Sequence, residues 1–167
     1  MTVHLPNILP ANFHPQSKVW IYQANRTFTM NEIFDMEPLL ENFVDQWKSH
    51  GAPVKGFATI LYGQFIIIMA DESVTTVGGC STDSSVHIIK QIEKQFGLQM
   101  FNRELLAFWI KDTVQTVPYT QVSYAIENGI LSNDSVYFNN LVNNKAEMEA
   151  QWLQPLSESW LGKKFIK

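Results

Sequence analysis

Residues 18–25, KVWIYQAN, alternate Val19 and Ile21 against Trp20 and Tyr22, the two-residue period of a β-strand rich in β-branched and aromatic side chains. A helix should follow. Thr29 with Glu32 three positions on makes a capping box, and Ile33, Met36, Leu40, Phe43, Val44 and Trp47 recur at helical spacing until Gly51. Pro38 interrupts that pattern: either it sits inside the helix and kinks it, or the helix starts near Glu37 and Pro38 occupies its first turn. GFATILY and FIIIMAD read as two strands joined by Gly63-Gln64, with glycine in the first turn position of a type II′ hairpin. The second strand is apolar on both faces and belongs in the middle of its sheet. A second helix from about Ser81 to Phe96 ends at Gly97, and LLAFWIK (105–111) is a further strand that pairs with Val114 to Tyr119 in a second hairpin.

The order β, α, β, β, α, β over residues 18–112 predicts an α+β protein with a ferredoxin-like split βαβ domain, two helices packing on one face of a four-stranded antiparallel sheet. Residues 1–17 hold three of the seven prolines and no periodicity, and are expected to form an extended arm lying on the body. Residues 113–167 read as a small aromatic-rich C-terminal α/β extension packed on the first domain. It comprises a short helix from Thr120 to Gly129, the strand SVYFNNLV, one more helical turn, and a tail in which Trp152 and Trp160 clamp onto the main body.

Composition narrows the function classes. With 167 residues, 46% of them hydrophobic, the chain has enough apolar material for a core without disulfides or metals. A net charge of −4 and the lack of any basic run argue against nucleic acid as a partner. The N-terminus has no basic region followed by a long apolar one, and the apolar run at 65–70 is too short to span a bilayer, so the expectation is a soluble cytoplasmic protein with no membrane partner. One cysteine excludes an internal disulfide framework, and no Cys/His spacing suits zinc; neither metal nor cofactor is expected. An open sheet and surplus aromatics point to a homodimer or another protein partner.

The candidate chemistry lies in residues 77–90, VGGCSTDSSVHIIK. Two glycines before a helix start leave backbone N–H groups and the positive end of the macrodipole free for an anion, with Gly78, Gly79, Ser81, Thr82 and Ser84 as its contacts. Arg26, at the end of the first strand, is expected to face that segment and strengthen the site. The alternative is a thiol enzyme with Cys80 as nucleophile, supported by His87 and by Asp83, which is spaced i, i+4 from it. Cys80 and His87 stand about 10 Å apart along a helix, so a base from elsewhere, His50, Asp71 or Glu72, is an option. The competing structural reading is a tight loop whose hydroxyls cap their own helix.

VGGCSTDSSVHII, together with VYFNNLV and the SW near the end, resembles an uncharacterised family of Bacteroidetes proteins often labelled ABC transporter ATPase. That resemblance implies no particular cofactor or catalytic residue. An ATPase of that class needs a phosphate loop of the form GxxxxGK[ST]; GGCSTDSS lacks the lysine, so ATP hydrolysis is excluded. Residues 108–152 are similar to a GYF-like module, a small adaptor of aromatic strands around a short helix. Val117-Pro118-Tyr119 replaces its glycine-proline-phenylalanine element, and binding of proline-rich ligands does not carry over.

Overall fold

The computed structural model of the protein describes residues 3–73 and 79–166, with side chains in the helix that begins at Gly79 described from Thr82 onward. Along the chain run β1 (Lys18–Gln23), α1 (Met30–Gln46), β2 (Lys48–Ser49), β3 (Ala52–Pro53), β4 (Lys55–Leu61), β5 (Phe65–Asp71) and α2 (Gly79–Phe96). They are followed by β6 (Leu105–Ile110), β7 (Thr113–Pro118), α3 (Val122–Glu127), β8 (Val136–Phe138), α4 (Lys145–Gln151), β9 (Leu153–Pro155) and α5 (Trp160–Phe165).

All seven residues of β5 are buried, as its two apolar faces require. It lies between β1 and β4, antiparallel to both, so β1 and β4 are joined through α1 but separated in space. On one face Ile66, Ile68 and Ala70 pack with Met36 and Leu40 of α1 and Ile89 and Ile92 of α2. On the other, Phe65, Ile67 and Met69 meet Ala107, Val114 and Phe138 of a second sheet, together with the fully buried Trp152 that precedes its last strand. That sheet, in the order β7-β6-β8-β9, is covered on its far side by α3 and α5, with Phe108, Tyr137, Val122, Leu131 and Leu161 between them. The protein is therefore α+β in four layers: helices, sheet, sheet, helices.

The expected fourth strand of the first sheet, 105–110, instead pairs with β7 and β8 in the second. The physical reason lies in β6 and in the outer edge of β1. Ala107 and Trp109 face the first sheet while Leu106, Phe108 and Ile110 face α3 and α5, so β6 needs an apolar layer on each side. The edge of β1 is taken by the segment before α4: Val19 N donates to Asn143 O at 3.0 Å, and Lys18 bridges Asn144. The expected domain boundary at residue 112 falls in the β6–β7 turn, between two strands of one hairpin.

Two local expectations resolve in the structure. Thr29 and Glu32 form the complete capping box, and α1 starts at Met30, so Pro38 lies inside the helix. It sits on the exposed face, where water can take the Phe34 carbonyl that Pro38 has no N–H to satisfy. The β4–β5 turn is not Gly63-Gln64 of type II′. Tyr62 and Gly63 are its central residues, with φ of 54° and 62°, and Gln64 N donates back to Leu61 O at 3.2 Å, the signs of a type I′ turn. Gln64 is held out of the turn because its buried side-chain amide donates to Ala24 O at 3.0 Å and its backbone carbonyl accepts from Ala24 N at 2.8 Å.

Residues 3–17 lie along the body. Leu5, Leu9 and Phe13 join the inter-sheet core, and Tyr62 donates its hydroxyl to His4 O at 2.6 Å. Burial pushes the Tyr62 phenol up to about 12, so the donor stays protonated. Lys145, itself buried, donates to Pro10 O and Phe13 O. Among the described residues, no helix is long and apolar enough to cross a membrane.

Candidate functional site

The N-terminal half of α2 lies against the C-terminal half of α1, because α2 begins where β5 ends while α1 runs back toward that same end of the sheet. A buried hydrogen-bond chain anchors the start of α2. Ser85 Oγ donates to Thr82 O at 2.7 Å, which leaves Tyr22 as donor in the 3.1 Å contact between its hydroxyl and Ser85 Oγ. Burial raises the Tyr22 phenol above its ordinary value, opposed in part by the Ser85 hydrogen bond.

Between the two helices is a groove of about 660 Å³. Leu39, Phe43, Trp47 and Ile88 form its apolar lining; Asn42, Gln46, Lys48, Asp83, Ser84, His87 and Gln91 supply its polar one. Trp47 is 3% exposed and wedged between Phe43, at 4.9 Å between ring centroids, and Trp20, at 5.8 Å. Its indole lies directly over Gly56, where an added Cβ would come within 2.7 Å of Cε3. The aromatic wall of the groove is thus fixed by packing from three elements. Asp83, His87 and Gln91 recur every four residues along α2, one polar stripe facing the carboxamides of Asn42 and Gln46.

The structure brings together Asp83, Ser84 and His87 among the expected site residues, all on the groove. Thr82 is half-buried, and its carbonyl is engaged by Ser85. Gly78 lies outside the described residues. Gly79, Cys80 and Ser81 open α2, but their side chains lie outside the described set, and with them the thiol geometry on which a Cys80–His87 pairing depends.

Arg26 is a correction. It faces the other end of α2: its guanidinium donates to Glu32 at 2.8 and 2.9 Å and to the carbonyl of Phe96, the last residue of the helix, at 3.1 Å. The antiparallel register explains this, because the end of β1 (Gln23) pairs with the start of β5 (Phe65), whereas α2 departs from the other end of β5. An 18-residue helix is roughly 27 Å long, so Arg26 cannot share an anion with residues 78–85. Arg26 instead complements the negative end of the α2 macrodipole. Its hydrogen bonds, with that of the Thr29 backbone, lower the Glu32 carboxyl to about 2.

Two of the alternative bases, Asp71 and Glu72, are engaged with structural partners. Asp71, 2% exposed, accepts from Ser73 N at 2.9 Å and His14 N at 3.1 Å and pairs with Lys55 at 3.4 Å. The Ser73 hydroxyl and backbone N–H, then His14 and Lys55, hold its carboxyl well below the usual carboxylate range despite burial. Glu72 pairs with Lys18 at 3.3 Å, and His50 stands in the tight β2–β3 turn with a φ of 52°. Among the described residues, no group of three or more His, Cys, Asp or Glu side chains can hold a metal ion.

The sequence reading missed the α1 half of the groove. Phe43 and Trp47 belong to a helical stripe that any core would produce, and Asn42 and Gln46 sit among ordinary solvent-facing positions; only the packing of α2 beside them makes the four a wall. No family model matches the chain, and no curated protein and no solved structure is similar enough to count as a match.

Proposed function

We propose that the protein is a binding protein whose ligand is a small organic molecule with a flat apolar body and a polar or anionic edge, held in the groove between α1 and α2. The observation that carries this reading is the convergence of a rigid aromatic wall, Phe43 and Trp47, with the carboxamides of Asn42, Gln46 and Gln91 and with His87 and Asp83 in one concavity. Its volume of about 660 Å³ is in the range of small-molecule sites, and an apolar lining with a few convergent polar groups is their usual composition. Carboxamides both donate and accept, which suits a ring bearing heteroatoms. An anionic substituent at the end nearest the first turn of α2 is favoured by the positive end of the macrodipole and by Lys48 and opposed by the Asp83 carboxylate, so it belongs on the side of the groove away from Asp83. The reading is binding because the commonest polar groups of the groove are carboxamides, which donate and accept hydrogen bonds without transferring protons, while Asp71 and Glu72 are committed to structural partners.

The same reading extends to the fold. The placement of β5 between β1 and β4 supports an N-terminal unit related to the ferredoxin-like split βαβ arrangement, with its fourth strand diverted to the second sheet.

The test is titration of the ¹⁵N-labelled protein with aromatic carboxylates and aryl phosphates alongside their uncharged parents. Amide shifts confined to residues 39–48 and 82–91, weakened about tenfold or more in Asn42→Ala and His87→Ala, are the expected result. Shifts elsewhere, or none at millimolar ligand, would overturn the proposal.

A further inference from the structure

Among the described residues, the first sheet ends in an open edge. In the order β1-β5-β4, β4 pairs with β5 on one side, and among the described residues no strand or bridge occupies its other side. Exposed edges are normally blunted by charge, proline, bulges or short length. The edge of β1 is covered by residues 143–144, β7 ends in Pro118, and β9 has three residues and ends in Pro155. β4 is seven residues long, and after Lys55 it reads GFATIL, without charge or proline.

Beside this edge a shallow groove of about 240 Å³ runs between β4 and α1, lined by Gly56, Phe57, Ala58, Leu40, Glu41, Val44 and Asp45. The exposed stripe of α1 above it is graded. Met30 and Phe34, 66% and 64% exposed, lie toward the Leu61 end; Glu37, Glu41 and Asp45 follow across the middle of β4 and on toward its Lys55 end. α1 contains no basic residue.

The geometry points to β4 as a docking edge for an extended segment of a partner protein. That segment adds a strand to the sheet through main-chain hydrogen bonds, with basic side chains at alternate positions on the α1 face, over Glu37, Glu41 and Asp45. A second copy of this chain fits less well. A two-fold axis at Ala58 would pair β4 with itself and set Glu41 opposite its own copy and Glu37 opposite Asp45, so every facing pair in the acidic stripe would be like-charged. A basic partner turns the same stripe into an attraction. This site is separate from the α1–α2 groove, which uses the other flank of α1, so either proposal can fail without the other.

The probes are an eight-residue peptide alternating lysine and valine, the same pattern with glutamate for lysine, and the lysine peptide N-methylated at alternate backbone amides. Expected are amide shifts in residues 55–61 and 37–45 with the lysine peptide, at least tenfold weaker binding of the glutamate and N-methylated peptides, and affinity that falls with salt. The double variant Glu41→Lys, Asp45→Lys, altered only at exposed positions, should reverse the charge preference. No binding of the lysine peptide at millimolar concentration, equal binding of its N-methylated form, unmoved β4 amides, or a dimer of the unliganded protein joined through β4 would each overturn the proposal.

Discussion

Substituting Gly56→Ala adds one methyl group at the point where β4 meets the aromatic wall of the groove. The new Cβ would lie 2.7 Å from Trp47 Cε3 and 3.1 Å from Cζ3, well inside van der Waals contact. A flexible side chain would swing away, but Trp47 is 3% exposed and held by Trp20 and Phe43, so either the indole or the strand must move. Two effects oppose each other. Replacing glycine within a strand gains about 0.5–1 kcal/mol from the reduced entropy of the unfolded chain. Overpacking a filled core costs about 1–3 kcal/mol. The second should win, with a net loss of about 1–2 kcal/mol. Urea unfolding followed by far-UV circular dichroism measures it without the ambiguity of five tryptophans, as a midpoint lowered by roughly 0.5–1 M at unchanged slope. Trp47→Leu should relieve the overlap, so the double variant should be less destabilised than the sum of the two single ones by about 1 kcal/mol. Gly56→Ala at or above the parent stability would refute the reasoning and imply that Trp47 is not confined.

Three further outcomes are expected. Lys111 and Asp112 make the two-residue β6–β7 turn with φ of 52° and 62°, so Lys111→Asn with Asp112→Gly, the residues a type I′ turn prefers, should raise stability by about 1 kcal/mol in the same urea assay. Thr29→Ala removes the side-chain acceptor of Glu32 N in the capping box and should cost about 1 kcal/mol, read as a lower thermal midpoint. Asp71→Asn should cost about 2–3 kcal/mol at pH 7, because its buried carboxylate ties Ser73, Lys55 and the arm at His14 together. Since the folded carboxyl is depressed, that stability is fully present above about pH 4 and is lost as pH falls toward the depressed value; unfolding free energy measured from pH 5 to 2 should fall more steeply in the parent than in Asp71→Asn.

Short-range physics carried much of this fold. The capping box at Thr29, the two apolar faces of β5 and the end of α2 at Gly97, whose φ is 66°, follow from residues close together in the chain. The turn after β4 falls one residue earlier than the local pattern predicts because what moves it, the hold on Gln64 by Ala24, is 40 positions away. Arg26 departs from expectation for a related reason: its local sequence says that it ends a strand, but which end of α2 it meets depends on the antiparallel register of β1 with β5.

The site divides in the same way. Asp83, Ser84 and His87 were legible as a polar cluster on the α2 helix, whereas Asn42, Phe43, Gln46 and Trp47 acquire a role only when α1 lies beside it. By itself the sequence determined the local elements, the α+β class and the central place of β5, because caps, turns and hydrophobic period act within one or two turns of chain. Only the tertiary structure decided which sheet β6 joins, which helix end receives Arg26 and which two helix faces enclose a groove. A strand or helix that is apolar on more than one side is compatible with several neighbours, and competition among distant segments for the same edges and faces selects one of them.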